Sequence, residues 1–354
     1  MPDHEAPERI EPPTRPLLSL TIPTYNRCPF LAELLEGLLP QLLHETRVEL
    51  LLSDNASSDG TTLMLEAFAA RGLTFRYLRN AENIGPDANF LQCLEQARGQ
   101  YVWVLGDDDL LAPKAIAQIL SLLERDEYDL VHLSSLGFSG DDRPTGKHDA
   151  LGRFAELVTD GDYFLQKINA LIGLISASIV NKDRLLATPH PPITDLNQTN
   201  LLQVGWLFPV IHRRCRILYI WERLLFYRSF NSGGWGICEV FGLRLNTIAR
   251  RYFAAEPSLA ENLMNGVLTT WMPDQIMQMR LGHEQSMETE DFAAKLKPAF
   301  GSNWRYWLLV FPVIAAPLPL ARQIHRANRL VTQAVRAASG IIRQILNRKN
   351  LLTP

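Results

Sequence analysis

At 354 residues, 47% hydrophobic and 21% charged, the chain has an ordinary globular composition and the length for one large domain or two smaller ones with real cores. Its formal net charge of −3 hides an asymmetry: from Phe292 to Pro354 there is no Asp or Glu, against ten Lys and Arg residues, a local excess that points to an anionic partner. The four cysteines, Cys28, Cys93, Cys215 and Cys238, have no paired spacing, which argues against a zinc site or disulfide framework and fits a reducing compartment.

The first 16 residues are acidic and proline-rich, unlike a signal peptide, and read as a disordered arm. Strands and helices then alternate to about residue 136. "LLSLTIP" is a strand followed by a helical pattern over 30–43; "VELLLSD" is a strand followed by "GTTLMLEAFAAR". "LTFRYLR" is followed by "DANFLQCLEQAR", "YVWVLG" by a helix over 113–123, and "YDLVHLS" is a fifth strand. This order predicts an α/β fold with right-handed crossovers and a mostly parallel sheet flanked by helices. Ligands of such sheets bind where the carboxyl ends of the strands open a crevice. Three of those ends are polar: "PTYNR", "SDNASSDG" and "GDDD".

Further on come a polar loop over 137–152, a helix "GDYFLQKINALIG", a strand "LISASIVN" and a long proline-broken loop, "ATPHPPITDLNQTN". A helix over 201–212, a strand "RILYIWERLLFY" and the glycine-rich "NSGGWG" follow, and the remainder reads as mostly helical. The stretch over 306–321 is uncharged but short and broken by three prolines, so it does not read as a membrane span.

The first strand carries no G-x-G-x-x-G, which speaks against a dinucleotide. Asp54 closes the second strand just before a helix N-terminus, an arrangement suited to a base amide or ribose together with phosphate. Three consecutive aspartates, Asp107, Asp108 and Asp109, supply hard oxygen ligands suited to Mg²⁺ or Mn²⁺. The same residues also suit turns and helix caps, and both readings stand on the sequence alone.

Four stretches taken together, "LSLTIPTYNR", "LLSDNASSDGT", "NAENIGPDANF" and "ARGQYVWVLGDDDLLAP", resemble the nucleotide-sugar half of a family 2 glycosyltransferase of the GT-A fold. Their wording is similar to O-antigen transferases such as the abequosyltransferases. The resemblance covers about residues 17–123. It implies that Pro23, Thr24, Tyr25 and Arg27 line the nucleotide pocket, that Asp54 contacts the base, and that the segment from Asn83 to Asn89 closes over ribose or sugar. Against the family's D-x-D region, Gly106 stands where a first carboxylate is common. That leaves Asp108, with Asp109, as metal ligands and Asp107 near the ribose or metal. The family's usual base, an Asp in a Glu-Asp pair, would fall near Gln203–Gly205, where no carboxylate occurs; Asp195 is the substitute candidate, and an ordinary loop aspartate is the competing reading.

In "YRSFNSGGWG", Asn231 and Trp235 suit a lid or acceptor loop, with an exposed turn anchored by one Trp as the alternative. In the tail Ile324, Val331, Ala338 and Ile345 recur every seven residues, joined by Ala327, Ala334 and Ile341. Arg329, Arg336 and Arg343 lie about 200° away. A basic amphipathic helix of this kind suits an anionic membrane surface better than nucleic acid. The expected organisation is an arm (1–16), a nucleotide-sugar half (17–136), an acceptor half (137–237), a helical extension (238–303) and a membrane-associating tail (304–354). The expected protein is a metal-assisted glycosyltransferase, cytoplasmic and peripheral on the inner face of the cell membrane, moving a sugar from a nucleoside diphosphate donor to a lipid-linked glycan. A non-catalytic sugar-nucleotide scaffold or sensor and a sugar nucleotidyltransferase are the rival readings.

Overall fold

The computed structural model describes residues 15–140, 152–229, 234–283, 288, 290–346 and 351–352, with the side chains of the last helix described as far as Ala334. The first half runs β1 (Leu18–Thr24), α1 (Cys28–Leu42), β2 (Val48–Asp54), α2 (Thr61–Ala70), β3 (Arg76–Arg79), α3 (Pro86–Gln96), β4 (Tyr101–Val104), β5 (Leu110–Leu111), α4 (Ala115–Leu123) and β6 (Leu130–Phe138). Then come β7 (Ala155–Val158), α5 (Gly161–Ile168), β8 (Ser178–Asn181), α6 (Lys182–Ala187), α7 (Val204–Leu207) and β9 (Ile217–Arg228). The helical extension comprises α8 (Leu245–Tyr252), α9 (Pro257–Gly266), α10 (Met272–Arg280), α11 (Phe292–Phe300), α12 (Phe311–Ala315) and α13 (Leu318–Leu346), and β10 (Leu351–Leu352) closes the chain.

The sheet has the order β10-β7-β9-β6-β8-β4-β1-β2-β3, with β5 paired to β9. The β4-β1-β2-β3 half is parallel, as the alternation of strands and helices predicts. The other half is mixed: β8 runs antiparallel to both β4 and β6, β7 is antiparallel to β9, and β6 and β9 are parallel. Insertion of β8, a strand late in sequence, between β4 and β6 reverses the strand direction at that point, so the sheet joins a parallel half to a mixed one.

Side-chain alternation divides the core between the two faces of the sheet. Along β4, Tyr101 and Trp103 enter a cluster with α1 and α4, whereas Val102 and Val104 enter another with α3, α5 and the helical extension. Helix α1 owes its form to leucines at Leu31, Leu34, Leu35 and Leu38, spaced to present one buried stripe. Two predicted elements shrink. "LISASIVN" yields only the four-residue β8, because 3₁₀ turns occupy the residues before it, and the helix over 201–212 contracts to α7 plus a 3₁₀ turn starting at Phe208 and Pro209.

Arg15 is tied to the fold by paired bonds to Asp183 and by donation to the carbonyls of Arg98 and Gly99, so the end of the expected arm is ordered; residues 1–14 lie outside the described residues. The tail is helical as expected, but its packed side is not the heptad stripe. Ala321 and His325 are buried, and His325 Nε2 stands 2.9 Å from Asp274 of α10, while Ala327 and Val331 face outward. The side chains of Arg336, Ala338, Ile341, Arg343 and Ile345, and all of Arg348 and Lys349, lie outside the description.

Candidate active site at the strand ends

Register brings the polar strand ends to one edge. Thr24 is the partner of Asp54, Asp54 is the partner of Arg79, and Thr21 lies beside Val104, so the turn that leaves β4 emerges next to the end of β1. The first cross-link closes there: Thr24 Oγ1 donates to Asp107 Oδ2 at 2.7 Å. Arg27 Nη1 reaches Asp107 at 3.3 Å and Asp108 at 3.1 Å. Pro23 is the penultimate residue of β1, paired with Ser53, and Tyr25 stands 43% exposed just beyond the strand, free to offer a ring face.

Asp54 is fully buried. It accepts from Ser57 N at 2.8 Å and Tyr77 OH at 2.6 Å, with Arg79 Nε 3.7 Å away. The next residue, Asn55, ties the "SDNASSDG" turn to the "NIG" turn by donating to Asn83 Oδ1 at 2.7 Å and accepting from Ile84 N at 2.9 Å. Asn83 thus braces the crevice wall. Asn89, expected to close over ribose or sugar, is engaged within the protein. It is buried against β2, accepting from Ser53 Oγ at 2.6 Å and donating to Ser53 O at 3.0 Å, so its amide holds α3 to the sheet.

The aspartate turn is held from the far half of the chain. Arg228, at the end of β9, donates from its backbone N to Asp109 Oδ1 at 3.0 Å and from Nε to the carbonyl of Asp108 at 3.1 Å. Its guanidinium pairs with Glu33 of α1 at 2.6 Å. The neighbouring β5–β9 pairing, Leu110 with Phe226, fixes the register of this clamp. Gly106 N donates to Ser176 Oγ at 2.9 Å. Arg228 and Ser176 were missed in the sequence: Ser176 lies dozens of residues from any motif, and Arg228, inside "YRSFNSGGWG", carries no local sign of its partners about 120 positions earlier.

Burial pushes the Asp107 carboxyl up to about 6, against the opposing pull of Thr24 and Arg27. Burial, reinforced by the charge of Asp108, pushes Asp109 up to about 7. A Cβ placed on Gly106 would stand 3.2 Å from both Asp108 Oδ1 and Asp109 Oδ2, so two carboxylate oxygens flank the space that the missing side chain leaves. Among the described residues no three carboxylate, imidazole or thiol groups converge on one point. One or two carboxylates are the donor set Mg²⁺ commonly takes, its other ligands being substrate phosphate and water. The residues present fit such an ion.

Three expected residues fall elsewhere. Asp195 sits on a 3₁₀ turn and pairs with Arg251 of α8 at 2.5 Å, turned toward the helical extension rather than the aspartates. Gln203, at the position of the family's base, is buried and donates to the carbonyl of Gly173. Trp235 packs on Phe241 with ring centroids 5.4 Å apart and joins the core, so it anchors the loop instead of covering a ligand. Asn231 lies outside the described residues. Asp87, in the first turn of α3, was also overlooked. It accepts from Gln198 N at 2.6 Å, which ties the proline-broken loop to the "NIGPD" turn, and burial raises its pKa.

A parallel β4-β1-β2-β3 unit with polar residues at its carboxyl edge, extended by a mixed half that clamps an aspartate turn, defines a GT-A-type α/β domain. Residues 19–183 match the family model for glycosyl transferase family 2. It is similar to the abequosyltransferase RfbV of Salmonella typhimurium, 40% identical over 109 residues that make up 30% of this chain and 33% of that one. The uncharacterized protein Rv1520 of Mycobacterium tuberculosis is 26% identical over 221 residues, 62% of this chain and 60% of its own. The chain therefore spans from a third to three-fifths of the length of these two relatives. In fold, TarS 1-349 of S. aureus matches with a TM-score of 0.57 at 18% identity over 91% of both chains. Its complex with UDP-GlcNAc matches with a TM-score of 0.54 at 16% identity, over 91% of this chain and 92% of that one.

Proposed function

We propose that the protein transfers a sugar from a nucleoside diphosphate donor to a lipid-linked glycan during assembly of an O-antigen-like surface polysaccharide, working on the inner face of the cell membrane. The observation that carries the reading is the convergence of Thr24, Arg27, Asp54 and Asp107–Asp109 at one sheet edge, with Thr24 bonded to Asp107 and Arg27 to both Asp107 and Asp108. The 40% identity to an abequosyltransferase over the donor half supports the chemical class.

In this reading Tyr25 stacks on the base and Asp54 receives a base amide or ribose hydroxyl, its orientation fixed by Ser57 and Tyr77. Arg27, which bridges Asp107 and Asp108, turns to the diphosphate when the donor binds. Asp108 and Asp109 would hold Mg²⁺ or Mn²⁺, which when bound neutralises charge on the departing diphosphate. Asp195 keeps its assignment as base only if its pair with Arg251 opens on acceptor binding. An Asp195→Asn variant with unchanged kcat removes it from that role.

Membranes carrying the acceptor, incubated with radiolabelled CDP-, UDP-, GDP- and dTDP-sugars, test the reading. Transfer should appear with one donor and be abolished by Asp108→Ala; undiminished transfer by that variant refutes the metal-site assignment. Gln203 in place of a carboxylate favours a second reading, a sugar-nucleotide sensor, which donor binding without transfer to any acceptor would support.

A further inference from the structure

The helical extension leaves a run of large apolar side chains in solvent. Trp304 is 56% exposed, Trp307 40% and Leu308 61%; on α13, Leu320 is 50%, Leu330 67% and Val331 64%. Isolated exposed apolar residues are ordinary on protein surfaces, but a sustained series rimmed by one sign of charge is not. At 100° per residue, Ala327, Val331 and Ala334 fall within about 40° of Leu320. That face is outward, while Ala321 and His325 take the packed side against α10 and α12. Exposed Arg322, Arg326 and Arg329 occupy a third side of the helix, roughly 160–240° from the apolar face.

The charge carried by this segment has one sign, and Asp274 of α10, set against α13, is paired with His325 and lies 4.0 Å from Arg329. No carboxylate occurs in the sequence after Asp291, while ten Lys and Arg residues do. Cations flank the exposed indoles: Arg305 lies 4.5 Å from the Trp304 ring and Lys297 lies 5.8 Å from the Trp307 ring. Trp307 Nε1 donates to the carbonyl of Gly301 at 2.7 Å, so its polar atom is satisfied within the protein and its ring can enter an apolar medium. No described helix is long and apolar enough to cross a membrane.

We propose that Trp304, Trp307 and Leu308, with the Leu320–Val331 face of α13, form a docking surface for an anionic lipid bilayer. The indoles and leucines enter the boundary between headgroups and acyl chains, Lys297 and Arg305 beside the indoles reach lipid phosphates, and the α13 arginines on the opposite side add attraction to the anionic surface potential. This deepens the reading of a lipid-linked acceptor by naming the surface that brings the domain to it, and it rests on that reading only for the acceptor.

The test is co-sedimentation of the full chain with vesicles of phosphatidylcholine alone or mixed with phosphatidylglycerol, at low and high salt. Wild type should bind the anionic vesicles, and salt should weaken binding. Trp304→Ser/Trp307→Ser should lower the partition at least about tenfold, and Arg322→Gln/Arg326→Gln about fivefold per charge. Quenching of wild-type Trp fluorescence by brominated lipid should be reduced in the double Trp variant. Unchanged unfolding midpoints and donor binding in the variants exclude misfolding as the cause. Binding indifferent to lipid charge, or equal in wild type and the Trp variant, overturns the proposal. So does loss of a wild-type dimer in the Trp variant without vesicle binding, which assigns the face to a second copy of the chain. Docking that fails while transfer to a soluble acceptor analogue persists leaves the transferase reading intact; docking without donor binding overturns that reading alone.

Discussion

Gly106→Ala is the smallest change that reaches the aspartate turn without removing any of its groups. The new methyl carbon would stand 3.2 Å from Asp108 Oδ1, 3.2 Å from Asp109 Oδ2 and 3.3 Å from Ser176 Oγ, each tighter than ordinary van der Waals contact. Asp108 has room to yield, since its side chain is partly exposed. Asp109 and Ser176 do not, being buried and tied to Arg228 N and Gly106 N respectively. Overpacking of this kind costs about 1–2 kcal/mol, or roughly 1–3 °C in Tm for a chain of this length. The methyl also fills space between two carboxylate oxygens, so Mn²⁺ and metal-dependent donor binding should weaken by about tenfold, a loss of about 1.4 kcal/mol. The assay pairs urea unfolding with calorimetric titration of Mn²⁺, then of donor in the presence of Mn²⁺. A stability loss with unchanged Mn²⁺ and donor affinity would show that the space beside Gly106 is packing alone and refute the assignment of Asp108 and Asp109. Unchanged stability would refute the crowding argument itself.

Asn89→Ala should destabilise the domain by about 1–3 kcal/mol, because Ser53 Oγ loses its acceptor and Ser53 O a donor in a buried site, while the donor KM stays within twofold. A large rise in KM without loss of stability would restore the role in closing over the sugar that the family resemblance implies. His132 is buried between Phe164 and Tyr219, and burial, aided by the charge of Lys167, lowers its pKa from 6.5 to about 3. Below pH 6.5 the unfolded chain takes up a proton there that the folded chain refuses. Its contribution is therefore complete above pH 6.5 and falls away as the pH drops toward 3, by an amount on the order of 5 kcal/mol. His132→Asn should flatten the fall of stability over that window, read from urea midpoints at successive pH values; a slope equal to that of wild type contradicts the account.

What could be read from the sequence was what is local in it. The alternation of strands and helices through α4 follows from patterning within windows of about ten residues, and the polar strand ends announce themselves by position. Asp54 and the aspartate turn were legible for that reason. Asn89 was not, because a motif names a residue without saying which way its side chain turns, and the amide is engaged by Ser53, 36 positions earlier. The tertiary partners of Trp235 and Asp195, Phe241 and Arg251, were likewise not legible in the stretches that contain them. On α13 the seven-residue repeat named an apolar stripe and set it toward a membrane surface; Ala327 and Val331 of that stripe are exposed. The packed side carries the His325–Asp274 pair instead.

The donor site is consequently not a property of the nucleotide half alone. Asp107 is held by Thr24 and Arg27, about 80 positions before it, whereas Asp108 and Asp109 are held by Arg228, about 120 positions after them. Arg228 is in turn locked to Glu33 on α1, 195 positions away. One guanidinium thus joins the helix that follows β1, the aspartate turn and the last strand of the acceptor half. This linkage explains why the half of the chain least legible in the sequence is needed to shape the motif that was most legible.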